Sequence, residues 1–445
     1  RLAASCFLPR RRGLGYFVIA AMLGRAGWHG ATARTVEGLV GTVFSQDADV
    51  QLTGALGALA DDADRAGTPL QVVVKQLFRE VLLMGRYGLL VDMPVEGAQV
   101  PYVCGYVPEA ITNWRVGLVD GRAQLTQVRL REAFTEADPK DEWGERTYTR
   151  YRVLELDEAG IYRVRLFRYA RNADGSERPN ETVEIDEPIV PTRRKEPLRE
   201  IPFVFFGPTA LHPGVARSPL MDLINMNLHH FRLSAELNHG LFVTSMPTPV
   251  VIGDTARDLD KPGERRVGTA VAWELPMGAD AKFLEFSGSG LNAIRDELQA
   301  DEARMVLLGA RLLEPQKRAA ESAEALRLRQ SGEAATLASI ADTVSWGVTR
   351  ALRFAAEWAG ADPDANTFTL SQAFAHAAMS EDDALKVVQR WQQGGATEED
   401  MFHALRVGGK LAPGETLDQW RRKLKDQGPL AAMAPAADLP AAAAA

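Results

Sequence analysis

The chain has 445 residues, 46% hydrophobic and 25% charged, which suits a soluble globular protein with length for about three domains. Its formal net charge of −8 argues against tight non-specific nucleic-acid binding, which needs clustered Lys and Arg to displace counterions, but leaves room for a protein past which DNA slides. Two cysteines, Cys6 and Cys104, argue against a disulfide framework and fit a reducing compartment, and the apolar run 16–23 is far shorter than the ~20 residues of a membrane span.

Arg10, Arg11 and Arg12 ahead of that run imitate a secretion signal. Gly24-Arg25 interrupts it and Trp28-His29 stands where small cleavage-site residues belong, so no targeting segment is expected. Residues 1–90 read as mostly helical. In VVVKQLFREVLLMGRYG, Val73, Val74, Leu77, Val81 and Leu82 recur near a 3.6 period, and Gly85 is a stop signal. The short run Tyr87–Met93, ended by Pro94, predicts a buried strand.

From about 99 to 205 the pattern turns to β. Residues 124–134, 147–157 and 161–170 alternate apolar and polar side chains, and Asp157-Glu158-Ala159-Gly160 is a hairpin turn signal. Arg163, Arg165 and Arg168 alternate with apolar residues among interleaved acids, as on the solvated face of an antiparallel sheet.

A Gly/Pro-rich loop then ends in Ser218-Pro219, a helix-start pair with Ser as N-cap. The helix that follows is apolar at Leu220, Leu223, Ile224, Leu228, Phe231, Leu233 and Leu237 and closes near Gly240. Residues 249–286 form a small β-like insert, with strands predicted in 249–254, 269–276 and 281–286. A unit of about 40 residues is too small for much core of its own. Its apolar residues, among them Val251, Trp273, Phe283 and Phe286, are therefore candidates for burial against neighbouring copies, Trp273 foremost.

A second helix of similar length follows the insert. The longest helical pattern covers 318–359, with Leu337, Ile340, Ala341, Val344, Val348, Ala351, Leu352 and Ala355 on one stripe and Gly332 as its weak point. Several short helices are expected over 368–426, with Ser380 and Thr416 as N-caps, before an Ala/Pro-rich, low-complexity end.

Chemistry-bearing motifs are sparse. His229, His230 and His239 share one predicted helix, but zinc-binding helices space ligands at i and i+4, and steps of 1 and 9 do not converge. Gly288-Ser289-Gly290 lacks the spacing of a phosphate loop, and Asp258, Asp260 and Glu264 lack the further ligands of a calcium loop. Asp296-Glu297 and Asp301-Glu302 read as a solvated acidic face. No catalytic residue, metal or other cofactor is expected.

Two matched helices around a small insert, followed by a loop and a much longer helix, resemble the stem–clip–stem of tailed-bacteriophage portal proteins. Residues 205–244, TVEGLVGTVF (35–44), MGRYGLLVDMP (84–94), PYVCGYVPEAITNWRV (101–116), MPTPVVIGD (246–254), FLEFSGSGL (283–291) and MVLLGARLLE (305–314) look like recurring segments of one such family, in the same order. The resemblance implies an α+β, mostly helical portal fold with a β-rich wing region, a long spine helix and a helical crown. Residues 1–90 would be the helical part of the wing and 91–210 its β-rich part. Residues 211–243 and 289–312 would hold the stem helices and 244–288 the clip. A tunnel loop would cover 313–320, the spine helix 321–360, the crown 361–428 and a disordered tail 429–445.

The function so implied is a non-enzymatic ring of twelve copies at one capsid vertex of the virion, assembled in the host bacterial cytoplasm. It would conduct double-stranded DNA during packaging and ejection and dock the terminase large subunit and a tail adaptor, beside the major capsid protein and without a membrane. Twelve helices side by side at ~10 Å leave a bore of about 28 Å, enough for a duplex of roughly 20 Å with water and ions. Candidate channel residues are Lys317 and Arg318 in the loop, and Arg295, Glu297, Glu302 and Arg304 on the second stem helix, where four acids outnumber two bases. A weakly acidic lining would let phosphates pass, whereas a basic one would hold them. The rival readings are an intracellular enzyme with its site in the β-rich region and another virion ring such as a tail adaptor.

Overall fold

The computed structural model describes residues 21–22, 24–94, 100–119, 121–137, 141–172, 177–245, 248–252, 277–278, 280–284, 289–309, 323–371, 381–407, 410–411 and 417–426. In chain order the elements are α1 (Ala31–Val43), β1 (Asp49–Gln51), α2 (Leu70–Met84), β2 (Tyr87–Asp92), β3 (Tyr102–Tyr106), β4 (Ile111–Val119), β5 (Arg122–Ala137), β6 (Glu145–Leu156), β7 (Tyr162–Arg171) and β8 (Glu177–Glu184). Then come β9 (Thr192–Arg193), β10 (Glu196–Pro197), β11 (Phe203–Phe206), α3 (Met221–Thr244), β12 (Thr248–Ile252), β13 (Asp280–Leu284), α4 (Ser289–Leu308), α5 (Ala323–Ala359), β14 (Thr367–Thr369), α6 (Glu381–Gln392), α7 (Glu398–Val407) and α8 (Leu417–Asp426). The protein is an α+β mixture. Among the described residues, no helix is long and apolar enough to cross a membrane.

The chain divides into two compact units, one of residues 1–35 and 220–316, the other of 36–219 and 317–445. The described residues up to 35 fall in the same unit as the helices α3 and α4, and residues 36–94 in the other.

The larger unit is built on antiparallel sheets. β4 to β8 form a five-stranded meander in sequence order, and β11, β2 and β3 form a second sheet with β2 in the middle. The predicted turn joins β6 to β7. The Asp157 carboxylate accepts from the backbone of Ala159 and Ile161, and Gly160 adopts φ +72°, the left-handed conformation in which a β-carbon costs most. Val128, Leu130, Leu154 and Tyr162 from the meander pack with Leu90, Phe203 and Phe205 in one core. The long-helix stripe is buried at every position named from the sequence, and α5 packs on β2, β11 and β14 while running unbroken through Gly332.

Gly85 ends α2 at φ +70°, its N–H donating to the Val81 carbonyl at 3.0 Å. A β-carbon there would lie 2.5 Å from the Ala216 oxygen, so both conformation and close approach demand glycine. Ser218 is not the N-cap of α3. Its hydroxyl donates to the Leu82 carbonyl at 2.8 Å, and α3 starts after Leu220 without a side-chain cap. The pairing of β1 with β14, which brings residues 49–51 beside 367–369, had no sequence signal because each strand is three residues long. The expected N-caps Ser380 and Thr416 lie outside the described residues.

Candidate functional site

The smaller unit is a helix pair with a strap. α3 and α4 have 24 and 20 residues, about 36 and 30 Å at 1.5 Å per residue. They run antiparallel, since Gly240 meets Leu291, His229 meets Asp301, and Leu223 meets Gly309. Between them in sequence, β12 and β13 pair antiparallel from Thr248 opposite Leu284 to Ile252 opposite Asp280.

One face of α3 is polar and holds the strap, the chain from Arg25 to Thr32. Asn227, only 1% exposed, accepts from the Thr32 backbone at 3.2 Å and hydroxyl at 2.9 Å, and donates to the His29 carbonyl at 2.7 Å. The Ser234 hydroxyl accepts from Gly27 N–H at 2.9 Å, and the Asn238 amide donates to the Arg25 carbonyl at 2.8 Å. Positions 227, 234 and 238 share a helical face, so the three side chains satisfy strap backbone groups in turn. Trp28 meets Phe231 edge-on at 5.6 Å, and the Arg25 guanidinium lies 3.8 Å from the centre of the Phe242 ring.

Polar groups also cross between the helices. The His229 ring and Asp301 lie 2.7 Å apart, and Arg304 donates to Asp301 at 3.0 Å and to Glu297 at 2.8 Å. The expected solvated acidic face is therefore corrected at Asp301, whose side chain is fully buried beneath those two partners. His230 Nε2 lies 3.3 Å from Glu302 Oε1, and His29 Nδ1 lies 3.8 Å from the same oxygen. Burial lowers the pKa of His29. Glu302 opposes that shift, and His230 and Arg34 add to it.

Of the channel candidates, Arg295 is exposed, Arg304 is engaged by two carboxylates, and Glu302 faces the two imidazoles while staying half-exposed. Lys317, Arg318, Trp273 and Phe286 lie outside the described residues. Val251 and Phe283 stand in β12 and β13.

The β-rich region holds the other concentration of buried charge. Glu132 accepts from Tyr106 at 2.7 Å, from Arg152 at 2.8 Å, and from Arg150 at 2.9 and 2.6 Å; Arg152 also reaches Asp92 at 2.7 Å. Burial pushes the Glu132 carboxyl up, but the Arg152 charge, the Tyr106 hydroxyl and Arg150 outweigh it and hold the pKa below the ordinary carboxylate value. Both oxygens are occupied, so the group has little capacity to take up a proton. Burial pushes the Cys104 thiol up to about 12, far from a nucleophilic thiolate. A cleft of about 810 Å³ in the same unit is lined by Leu118, Gln124, Leu156, Arg199, Phe354 and Trp358. Of the five acids that line it, Asp157 is tied to Arg163 and to backbone donors and Glu200 pairs with Arg350.

A family model described as "Domain of unknown function (DUF4055)" matches residues 219–359. No curated protein matches the sequence. Among solved structures, the chain is similar to one titled "Neck of empty GTA particle computed with C6 symmetry", at 14% identity and a TM-score of 0.39, with 93% of this chain and 99% of that chain covered. It is also similar to chains of "Virion of native gene transfer agent (GTA) particle" (14%, 0.36, 89% and 94%) and "Neck of native GTA particle computed with C12 symmetry" (15%, 0.36, 93% and 99%).

Proposed function

We propose that this chain is the subunit of a phage portal, a non-enzymatic ring that conducts double-stranded DNA at a capsid vertex. The observation that carries the reading is the incompletely buried apolar surface of the α3–α4 pair. Asn227, His230, Ser234 and Asp301 are its buried polar positions, whereas Ile224, Leu228, Phe231 and Leu237 are only half-buried and Leu307 and Leu308 are exposed. Among the described residues of this unit no further layer covers that apolar surface, and copies standing side by side would supply one. The order of helix, small β pair and helix adds the stem–clip–stem resemblance.

In such a ring the acid-rich α4 suits a surface past which phosphates slide. The terminase large subunit and tail adaptor would dock on the ring, and the major capsid protein would surround it within the virion, after assembly in the host bacterial cytoplasm. The satisfied Glu132 network supports a structural rather than an enzymatic role for the β-rich region. The test is particle shape. Negative-stain images should show rings with a central hole, and the native mass should be near twelve times 48.6 kDa. A protein that stays monomeric at all concentrations, including in the presence of its virion partners, would overturn the proposal.

A further inference from the structure

We propose that His29, His230 and Glu302 form a binding site for a divalent transition metal of the zinc class. The three residues come from the strap, the middle of α3 and the middle of α4, and one donor atom from each lies within 4.8 Å of the others. A tetrahedral ion with bonds of about 2.0–2.1 Å needs its ligand atoms about 3.3–3.4 Å apart. The His230–Glu302 edge already measures 3.3 Å, and the His29–Glu302 edge of 3.8 Å closes with a small side-chain rotation. Two imidazole nitrogens and one carboxylate oxygen suit zinc, whereas magnesium and calcium take all-oxygen sets.

Burial singles out His230. It is only 7% exposed; among the described residues its Nδ1 is buried without a hydrogen-bond partner, and its Nε2 reaches Glu302. Its Nε2, turned toward Glu302, is the nitrogen placed to ligate. His29 is held in place by its own carbonyl, which accepts from Asn227. Its Nε2 lies 3.1 Å from Arg34, which can only donate, so without metal Nδ1 carries the proton and faces Glu302. Ligation through Nδ1 moves that proton to Nε2, and the exposed Arg34 turns to solvent. Glu302, 49% exposed, leaves the fourth position open to water. The ion would cross-link the strap to both helices, and its binding energy would stabilise this unit.

The test uses the purified full chain stripped with a chelator. Titration with zinc by calorimetry should find one site per chain, and cobalt substituted there should give the strong visible bands of four-coordinate geometry. His29→Ala and Glu302→Gln should each weaken zinc by more than the ~10–100-fold that loss of an outer-shell partner costs, while His212→Ala leaves the affinity unchanged. His230→Ala opens a cavity at a buried position and risks unfolding, so the two more exposed ligands carry the test. Zinc should raise the melting temperature of the wild type and not of Glu302→Gln. No stoichiometric zinc binding, or binding that both His29→Ala and Glu302→Gln leave intact, would overturn the proposal.

Discussion

The two units bury opposite kinds of surface. In the larger one, the α5 stripe from Leu337 to Ala355 and the Phe203–Tyr162 cluster of the sheets are apolar and closed from water. Among the described residues of the smaller one, a compact apolar cluster joins Ala31, Leu223 and Met305 with Met226 beside it, the long helices meet through His229–Asp301, and Asn227 ties α3 to the strap. The first arrangement is stable by burial within one chain. The second has a polar seam between its segments, and several apolar side chains of its helices stay half-buried or exposed among the described residues. A closed apolar core and a polar-seamed helix pair can thus sit in one sequence with the same helical periodicity.

The sharpest way to break this comparison is a large truncation in the apolar core. Phe206 is fully buried, so Phe206→Ala should cost about 3–5 kcal/mol. Chemical denaturation should show the loss in the transition of the larger unit, and a shift below ~1 kcal/mol would mean that this core is not tightly packed. Pro in place of Ala300, inside α4, should cost about 3 kcal/mol or more by removing a helical hydrogen bond. Rings should then fail to form while the circular-dichroism signal of the sheets persists. Intact rings from Ala300→Pro would show that α4 does not have to be continuous for assembly.

A smaller change tests the polar seam. Asn227→Ala leaves the Thr32 N–H and His29 carbonyl without their partner, at about 1–3 kcal/mol. Hydrogen exchange should quicken at residues 25–32 and stay unchanged in α5. Equal protection in wild type and mutant would mean the strap is held by other contacts.

The mildest effect is acid dependence of the larger unit. The Glu132 pKa is held below its unfolded value of about 4.5, so its contribution to stability is complete above that value and is lost as pH falls through the folded pKa. Unfolding midpoints measured on descending from about pH 5 should drop for the wild type and drop less for Glu132→Gln. Identical acid profiles would remove Glu132 from the account.

Much of the local structure is legible because periodicity reports which face of an element is apolar. The stripe on α5, the alternation in β5 to β7, the Asp157–Gly160 turn and the Gly85 stop all follow from side-chain spacing and turn chemistry, and each depends on residues close in sequence. The candidate metal site was illegible for the converse reason. Spacing along α3 alone sets His229, His230 and His239 apart from one another, and nothing in the sequence announces that His29 and Glu302 will meet His230.

By itself, then, the sequence determined the longer helices and strands, the apolar faces of the larger unit and the order of elements that resembles a portal. Only the tertiary structure decided that Asp301 is buried, that Ser218 bonds to Leu82 instead of capping α3, and that Thr32 meets Asn227, 195 residues away in the chain. Secondary structure is a short-range response to side-chain pattern. Polar pairing between distant segments depends on how helices align in register, and that alignment is set by the whole packed unit.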